Sequence, residues 1–183
     1  MPASRFQPDA VFKPAVAGTR VRLATMVSSV VVGVMAVVVP VVVLTLNQHE
    51  RHPPPWPVAF APVVVVAVLA VVWVTARIRC YRVTAEELRV ELPLRTVRFA
   101  LAGLQSVAPD PGALRGARRI MGNDGVGAVS GRFRSKHLGW FRVYLTDVEH
   151  AVVLRWPDRC LVISPQQHSW FVDTLRRRLD LPH

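Results

Sequence analysis

The sequence predicts an α+β chain: a two-helix transmembrane hairpin, then an antiparallel β-domain closed by a C-terminal α-helix. Three observations carry this. Residues 23–46 and 58–76 contain no charged side chain. From Cys80 onward, continuous apolar runs give way to the two-residue alternation of half-buried strands. The last stretch opens with Ser-Pro and carries an apolar stripe at helical spacing.

Residues 1–22 hold Arg5, Lys13, Arg20 and Arg22 together with Pro2, Pro8 and Pro14, and read as a mobile cytoplasmic tail. Residues 23–46 would be about 36 Å long as a helix at ~1.5 Å per residue, and residues 58–76 about 28 Å. A bilayer's hydrocarbon core is roughly 30 Å thick, so each is long enough to span it. Valine favours strands, but a strand of this length far exceeds the usual ~3–10 residues. Pro40 lies inside the first run, where a membrane helix tolerates it and a central strand does not. Pro62 falls in the first turn of the second, where proline suits a helix start.

Residues 47–57 form a short loop, kept extended by Pro53, Pro54 and Pro55. Only Arg51 is basic there, and Glu50 offsets it, whereas Arg77, Arg79 and Arg82 follow the second run. Positive charge stays inside. Both termini are therefore expected in the cytoplasm of a multi-pass plasma-membrane protein, with the loop outside. Cys80 and Cys160 are the two cysteines; a cytoplasmic domain keeps them reduced. Ser29 and Gly33 form a small-xxx-small pair that permits close helix packing, either within the hairpin or between copies.

Residues 77–183 form the cytoplasmic domain. Leu88, Val90 and Leu92 alternate with Arg89 and Glu91; Val97, Phe99 and Leu101 with Arg98 and Ala100; Phe141, Val143 and Leu145 with Arg142 and Tyr144. Two shorter strands, 151–156 and 160–163, flank the turn Pro157-Asp158-Arg159. Short turns between strands imply antiparallel pairing. Ser164 is the predicted N-cap of the final helix, Pro165 its first residue and Gln167 its capping-box partner. Phe171, Leu175 and Leu179 supply the stripe, and Arg176, Arg177 and Arg178 complement the helix dipole.

The stretches YRVTAEELRVE (81–91), RRIMGNDGVGAVSGRFRSKHLGWFRVYLTD (118–147) and AVVLRWPDRCLVISPQQHSWFVDTL (151–175) resemble the bacterial pleckstrin-homology (PH) domain family. The likeness is to the form in which two N-terminal transmembrane helices precede the domain, and it covers roughly residues 76–180. It implies a strongly bent seven-stranded sheet or barrel capped at one end by the C-terminal helix. It also implies a non-enzymatic binding module, and the fold alone does not choose between lipid, peptide and protein ligands. Phosphoinositide-binding members usually carry basic residues in and around the loop between their first two strands. Here that loop reads Thr84-Ala85-Glu86-Glu87, which is acidic.

The net charge of +11 is spread over every segment expected to face the cytoplasm, which fits an anionic inner leaflet. Nothing resembles a nucleic-acid-binding motif, so no nucleic-acid partner is expected. Arg115, Arg118, Arg119, Arg132, Arg134 and Lys136 cluster around a glycine-rich stretch at 122–127 and are the candidate contacts for anionic lipid headgroups or a protein partner. Trp140 follows and is a candidate interfacial anchor. The glycine-rich stretch lacks the P-loop spacing and reads as a flexible loop between strands. Ser130, Asp147 and His150 would be the members of a hydrolytic triad, but no nucleophile elbow surrounds the serine. His49 and His52 lie at i, i+3 without the ligand spacing of a metal site. No enzyme activity, cofactor or metal is expected. The expected function is docking or assembly at the inner face of the membrane, for a protein partner, anionic lipid or another copy of the chain. The alternative is an accessory or regulatory subunit that binds a membrane complex through its spans.

Overall fold

Alternation becomes strand wherever one side chain in two can be buried, as at Cys80–Val83 and Glu87–Glu91, and the computed structural model shows ten strands among its described residues, 9–47, 56–75 and 77–180. A four-stranded sheet has the order β1 (Ala10–Phe12), β2 (Cys80–Val83), β3 (Glu87–Glu91), β4 (Thr96–Ala100). The second sheet uses β5 (Ser106–Pro109), β6 (Arg118–Asp124), β7 (Val129–Ser135), β8 (Gly139–Leu145), β9 (Val152–Arg155) and β10 (Cys160–Ile163). Its order is β5-β9-β10-β8-β7-β6. Helices α1 (Thr19–Asn47) and α2 (Trp56–Thr75) pack on each other, and α3 (His168–Leu179) closes the domain against β5.

The six-stranded sheet is apolar on both faces, and the alternation sorts its residues between two cores. Val152, Leu154, Leu161, Ile163 and Tyr144 face the four-stranded sheet, where Tyr81, Leu88, Val90 and Phe99 meet them and Phe171 and Leu175 of α3 seal the end. Their neighbours Val153, Val162, Val143, Phe141 and Phe133 face the other way, under Ala113, Leu114 and Val21 of α1. Burying a side chain of the size of Phe171 or Leu175 contributes about 1.5–3 kcal/mol. The Tyr81 hydroxyl ties the sheets together. It donates to the Tyr144 carbonyl at 2.8 Å and accepts the Ser164 amide at 3.4 Å, and full burial pushes its pKa well above the ordinary phenol value.

Several expectations need correction. The tail drawn over residues 1–22 is part of the fold from Ala10 on: β1 pairs antiparallel with β2, and Phe12 packs edge-on to Phe171 at 4.9 Å. A three-residue strand is too short to show a period, so it passed for tail. Helix α1 begins at Thr19, before the first apolar residue of the run. The pairing is not wholly antiparallel, since β10 lies parallel to β8. The two sheets hold ten strands where the resemblance implied seven. The glycine-rich stretch is no loose loop: β6 runs through Gly122 to Asp124, and only its end turns.

Ser164 does not cap α3. The helix begins at His168 after Gln167, with no side-chain cap. The Ser164 hydroxyl instead accepts the Thr146 amide at 2.8 Å, and the Thr146 hydroxyl donates to the Ala15 carbonyl at 2.6 Å. A buried serine with partners waiting inside the fold serves them before a helix end.

Among the described residues one helix, within Thr19–Val42, is long and apolar enough to cross a membrane, and its most apolar stretch, of mean hydropathy 2.4, is not buried. The hairpin of two spans is therefore not established as such. Most of the external loop expected at 47–57, with His49 and His52, lies outside the described residues.

Candidate docking face

Strands β6, β7 and β8 are antiparallel neighbours, and their register decides which charges meet. Arg118 lies opposite Arg134, and Arg134 opposite Trp140. Next along, Arg132 lies opposite Arg142. All five share the sheet face that elsewhere packs onto the four-stranded sheet, but they stand exposed beyond that core. A register shift between Arg119 and Met121 makes Ile120 an extra residue. Such a bulge re-aims the side chains around it.

Five of the seven sequence-predicted residues line one groove of about 890 Å³: Arg115, Arg118, Arg134, Lys136 and Trp140. The Asp110 carboxylate accepts the Gly112 amide at 2.9 Å and shapes the turn that delivers Arg115. Arg132 lines a second cleft instead, with Trp140. Arg119 pairs with Phe133 and so projects from the opposite face of the sheet, away from the groove. The predicted cluster is thus divided by the pleat.

The second cleft, of about 330 Å³, was not read from the sequence. Arg98 of β4, Arg142 of β8 and Arg159 of the β9–β10 turn converge there with Arg132, and Asp158 is the one acid among them. Its floor is built. The Trp156 indole N–H and the Arg159 guanidinium both donate to the Ala100 carbonyl at 3.1 Å. Arg159 also lies 4.8 Å over the Trp156 ring, and Arg142 lies 5.9 Å from Phe99. The sequence spreads these groups over some sixty residues, and only the approach of β4 to β8 brings them together. Trp140, 58% exposed and capped by Arg134 at 5.6 Å, lines both concavities and separates them.

Guanidinium groups on a partly apolar floor are suited to carboxylate or phosphate, which they grip through two parallel N–H donors. Arg98, Arg118 and Arg132 make no ion pair among the described residues. Cross-strand pairs of like charge destabilise a sheet. Arg118 facing Arg134 and Arg132 facing Arg142 are therefore costly in the absence of an anion.

The remaining candidates are resolved differently. Of the imagined triad, His150 Nδ1 and Asp147 Oδ2 are 2.6 Å apart, with His168 stacked edge-on at 5.3 Å. Ser130 stands in β7 opposite Asn123 and Tyr144, without a hydrogen bond to His150. No three potential metal ligands gather among the described residues. Burial, then the hydrogen bond to Glu91, pushes the Cys80 thiol up to about 11, and burial raises Cys160 as well. Both cysteines are free, and neither is activated. Ser29 donates to the Thr25 carbonyl at 2.8 Å within α1. A Cβ at Gly33 would meet no described atom within 4 Å, and Ser29 lines a concavity with Arg77 and Ile78.

The end of the hairpin farthest from Trp140 is joined to α1. The Thr25 hydroxyl of α1 accepts the Gly127 amide at 3.0 Å and shares its proton between the Val21 carbonyl at 2.7 Å and the Gly125 carbonyl at 3.3 Å. Asn123 reaches across the same turn to the carbonyls of Val126 and Ala128.

Comparison with known proteins agrees with this architecture. The family model of the bacterial PH domain matches residues 79–179, more than half of the chain. No curated protein and no solved structure matches significantly. The chain belongs to the bacterial PH domain family, whose members are in general non-catalytic binding modules.

Proposed function

We propose that this PH domain is a docking module tethered at the cytoplasmic face of a membrane, where it binds an anionic partner through the groove and cleft around Trp140. The observation that carries the reading is the convergence of unneutralised arginines on two concavities of the sheet. Helices α1 and α2 cross the bilayer as a hairpin. Support comes from their packing on each other, from the absence of charge in residues 23–46 and 58–76, and from Arg20, Arg22, Arg77 and Arg79 at the inner flanks. The partner is a protein segment or anionic lipid headgroups at the inner leaflet.

The tether is tested by alkaline extraction of membranes and by protease added to intact spheroplasts. The chain is expected to stay in the pellet and its C-terminal part to resist digestion. Release without detergent, or digestion from outside, would refute this topology. Docking is tested on the full chain in nanodiscs: replacing Arg118, Arg132 and Arg134 together by alanine should abolish crosslinking to partners and binding to anionic vesicles added in trans.

A second reading has one observation behind it. A Cβ at Gly33 would meet no described atom within 4 Å, and such an open position beside the small residue Ser29 suits a helix from another membrane protein or another copy. Exchanging both helices for unrelated spans separates the readings, because a docking domain keeps its partner and a subunit held by its helices loses it.

A further inference from the structure

We propose that the occupant of this face is an extended, acidic polypeptide segment of a partner protein, lying across Trp140 with carboxylates in both concavities. The inference rests on the docking reading and narrows it to one class of partner. The first argument is shape. The groove holding Arg118 and Lys136 and the cleft holding Arg98 and Arg142 lie on either side of one tryptophan. A single headgroup fills one of them. A chain advancing about 3.3 Å per residue reaches from one to the other and passes an apolar side chain over the indole between them.

The second argument is charge. One acid, Asp158, lies among the basic residues of the two concavities. The complement is a run of several carboxylates, spaced rather than concentrated at one point. Arg159 is committed to the Ala100 carbonyl and to Trp156. It steadies the floor, and Arg98, Arg132 and Arg142 remain to grip the ligand.

The third argument is position. The turn at Gly125–Gly127 is fastened to Thr25, at the start of the apolar helix. Strand β7 then runs from Val129 to Ser135, about 20 Å at ~3.3 Å per residue, before it reaches the groove. The basic face lies at the end of the hairpin away from the tether. A partner reaching it from the cytoplasm is favoured over the bilayer in which α1 is set.

The test uses the full chain in zwitterionic nanodiscs and a fluorescein-labelled decapeptide of alternating Glu and Leu, read by anisotropy. A Gln-Leu decapeptide and phosphatidylglycerol vesicles serve as the other probes. The Glu peptide should bind and the Gln peptide should not. Arg118→Glu in the groove and Arg142→Glu in the cleft should each weaken binding at least about tenfold. Trp140→Ala should weaken it by a smaller factor. Arg177→Glu on α3 makes the same change in net charge and should leave the affinity unchanged. Equal losses from Arg177→Glu and Arg142→Glu would overturn the proposal, because binding would follow net charge alone. Loss with only one of Arg118→Glu and Arg142→Glu would overturn it too, since one concavity would suffice. Vesicle binding that depends on these arginines, without peptide binding, would overturn the peptide and keep the docking face. Binding of neither probe would overturn both.

Discussion

The two ends of the β6–β7 hairpin contrast sharply. At the turn, polar groups find partners within the chain: the Thr25 hydroxyl accepts from Gly127 and shares its proton between the Val21 and Gly125 carbonyls, and Asn123 serves Val126 and Ala128. At the open end, arginine faces arginine, and a tryptophan stands in solvent. One end satisfies itself within the chain and the other does not. A satisfied end fixes how the domain sits on its helix, and an unsatisfied end is where a partner is recognised. Both lie on one antiparallel ribbon, so the hairpin sets the docking face apart from the helix.

Breaking the ribbon between them should have the largest effect. Gly131 lies opposite Gly122, with φ of 139° and 121°. A Cβ on Gly131 would run into the Met121 carbonyl oxygen. Gly131→Ala combines that collision with a backbone conformation unfavourable to alanine, at a cost of about 3 kcal/mol or more. Thermal unfolding in detergent should show a midpoint lowered by many degrees. An unchanged midpoint would mean that the two strands do not approach so closely.

Much of the β-domain was legible: β3 and β4, where burial alternates, lie within one residue of the alternation, and β10 lies where the turn Pro157-Asp158-Arg159 put it. What stayed hidden depends on long-range approach. β1 has three residues and exists only because β2 offers an edge. The Ser164 cap was chosen correctly by local rules and overridden by Thr146, which the sequence places eighteen residues earlier and the fold places beside it. The candidate site divided in the same way. Residues near each other in sequence, Arg115, Arg118, Arg134, Lys136 and Trp140, were found as a cluster. The pleat removed Arg119, which a count of strand parity would have flagged but for the bulge beyond it. Arg98, Arg142 and Arg159 carried no local signal beyond their charge.

Loosening the satisfied end should have a moderate effect. Thr25→Val keeps the shape of the side chain and removes the oxygen shared by Gly125 and Gly127, which costs about 1 kcal/mol. Amide exchange at Gly127 should speed up, while exchange within β8 and β10 stays slow. Uniform acceleration across the sheet would show that the turn is integral to the core rather than an attachment to α1.

The smallest change in stability is the most discriminating, because its sign is opposite to the others. Arg118→Glu converts a like-charge pair across β6 and β7 into an opposite-charge pair with Arg134. Exposed cross-strand pairs of this kind differ by about 0.2–1 kcal/mol. The variant should therefore melt slightly higher than the native chain, and the gain should shrink as salt screens both pairs. The same substitution removes one of the donors that line the groove, so partner binding should fall as stability rises. A structural arginine gives the reverse pattern: lower stability, with binding following only through unfolding. Stability and binding moving in opposite directions at one residue would mark Arg118 as kept for what it binds and not for what it holds together.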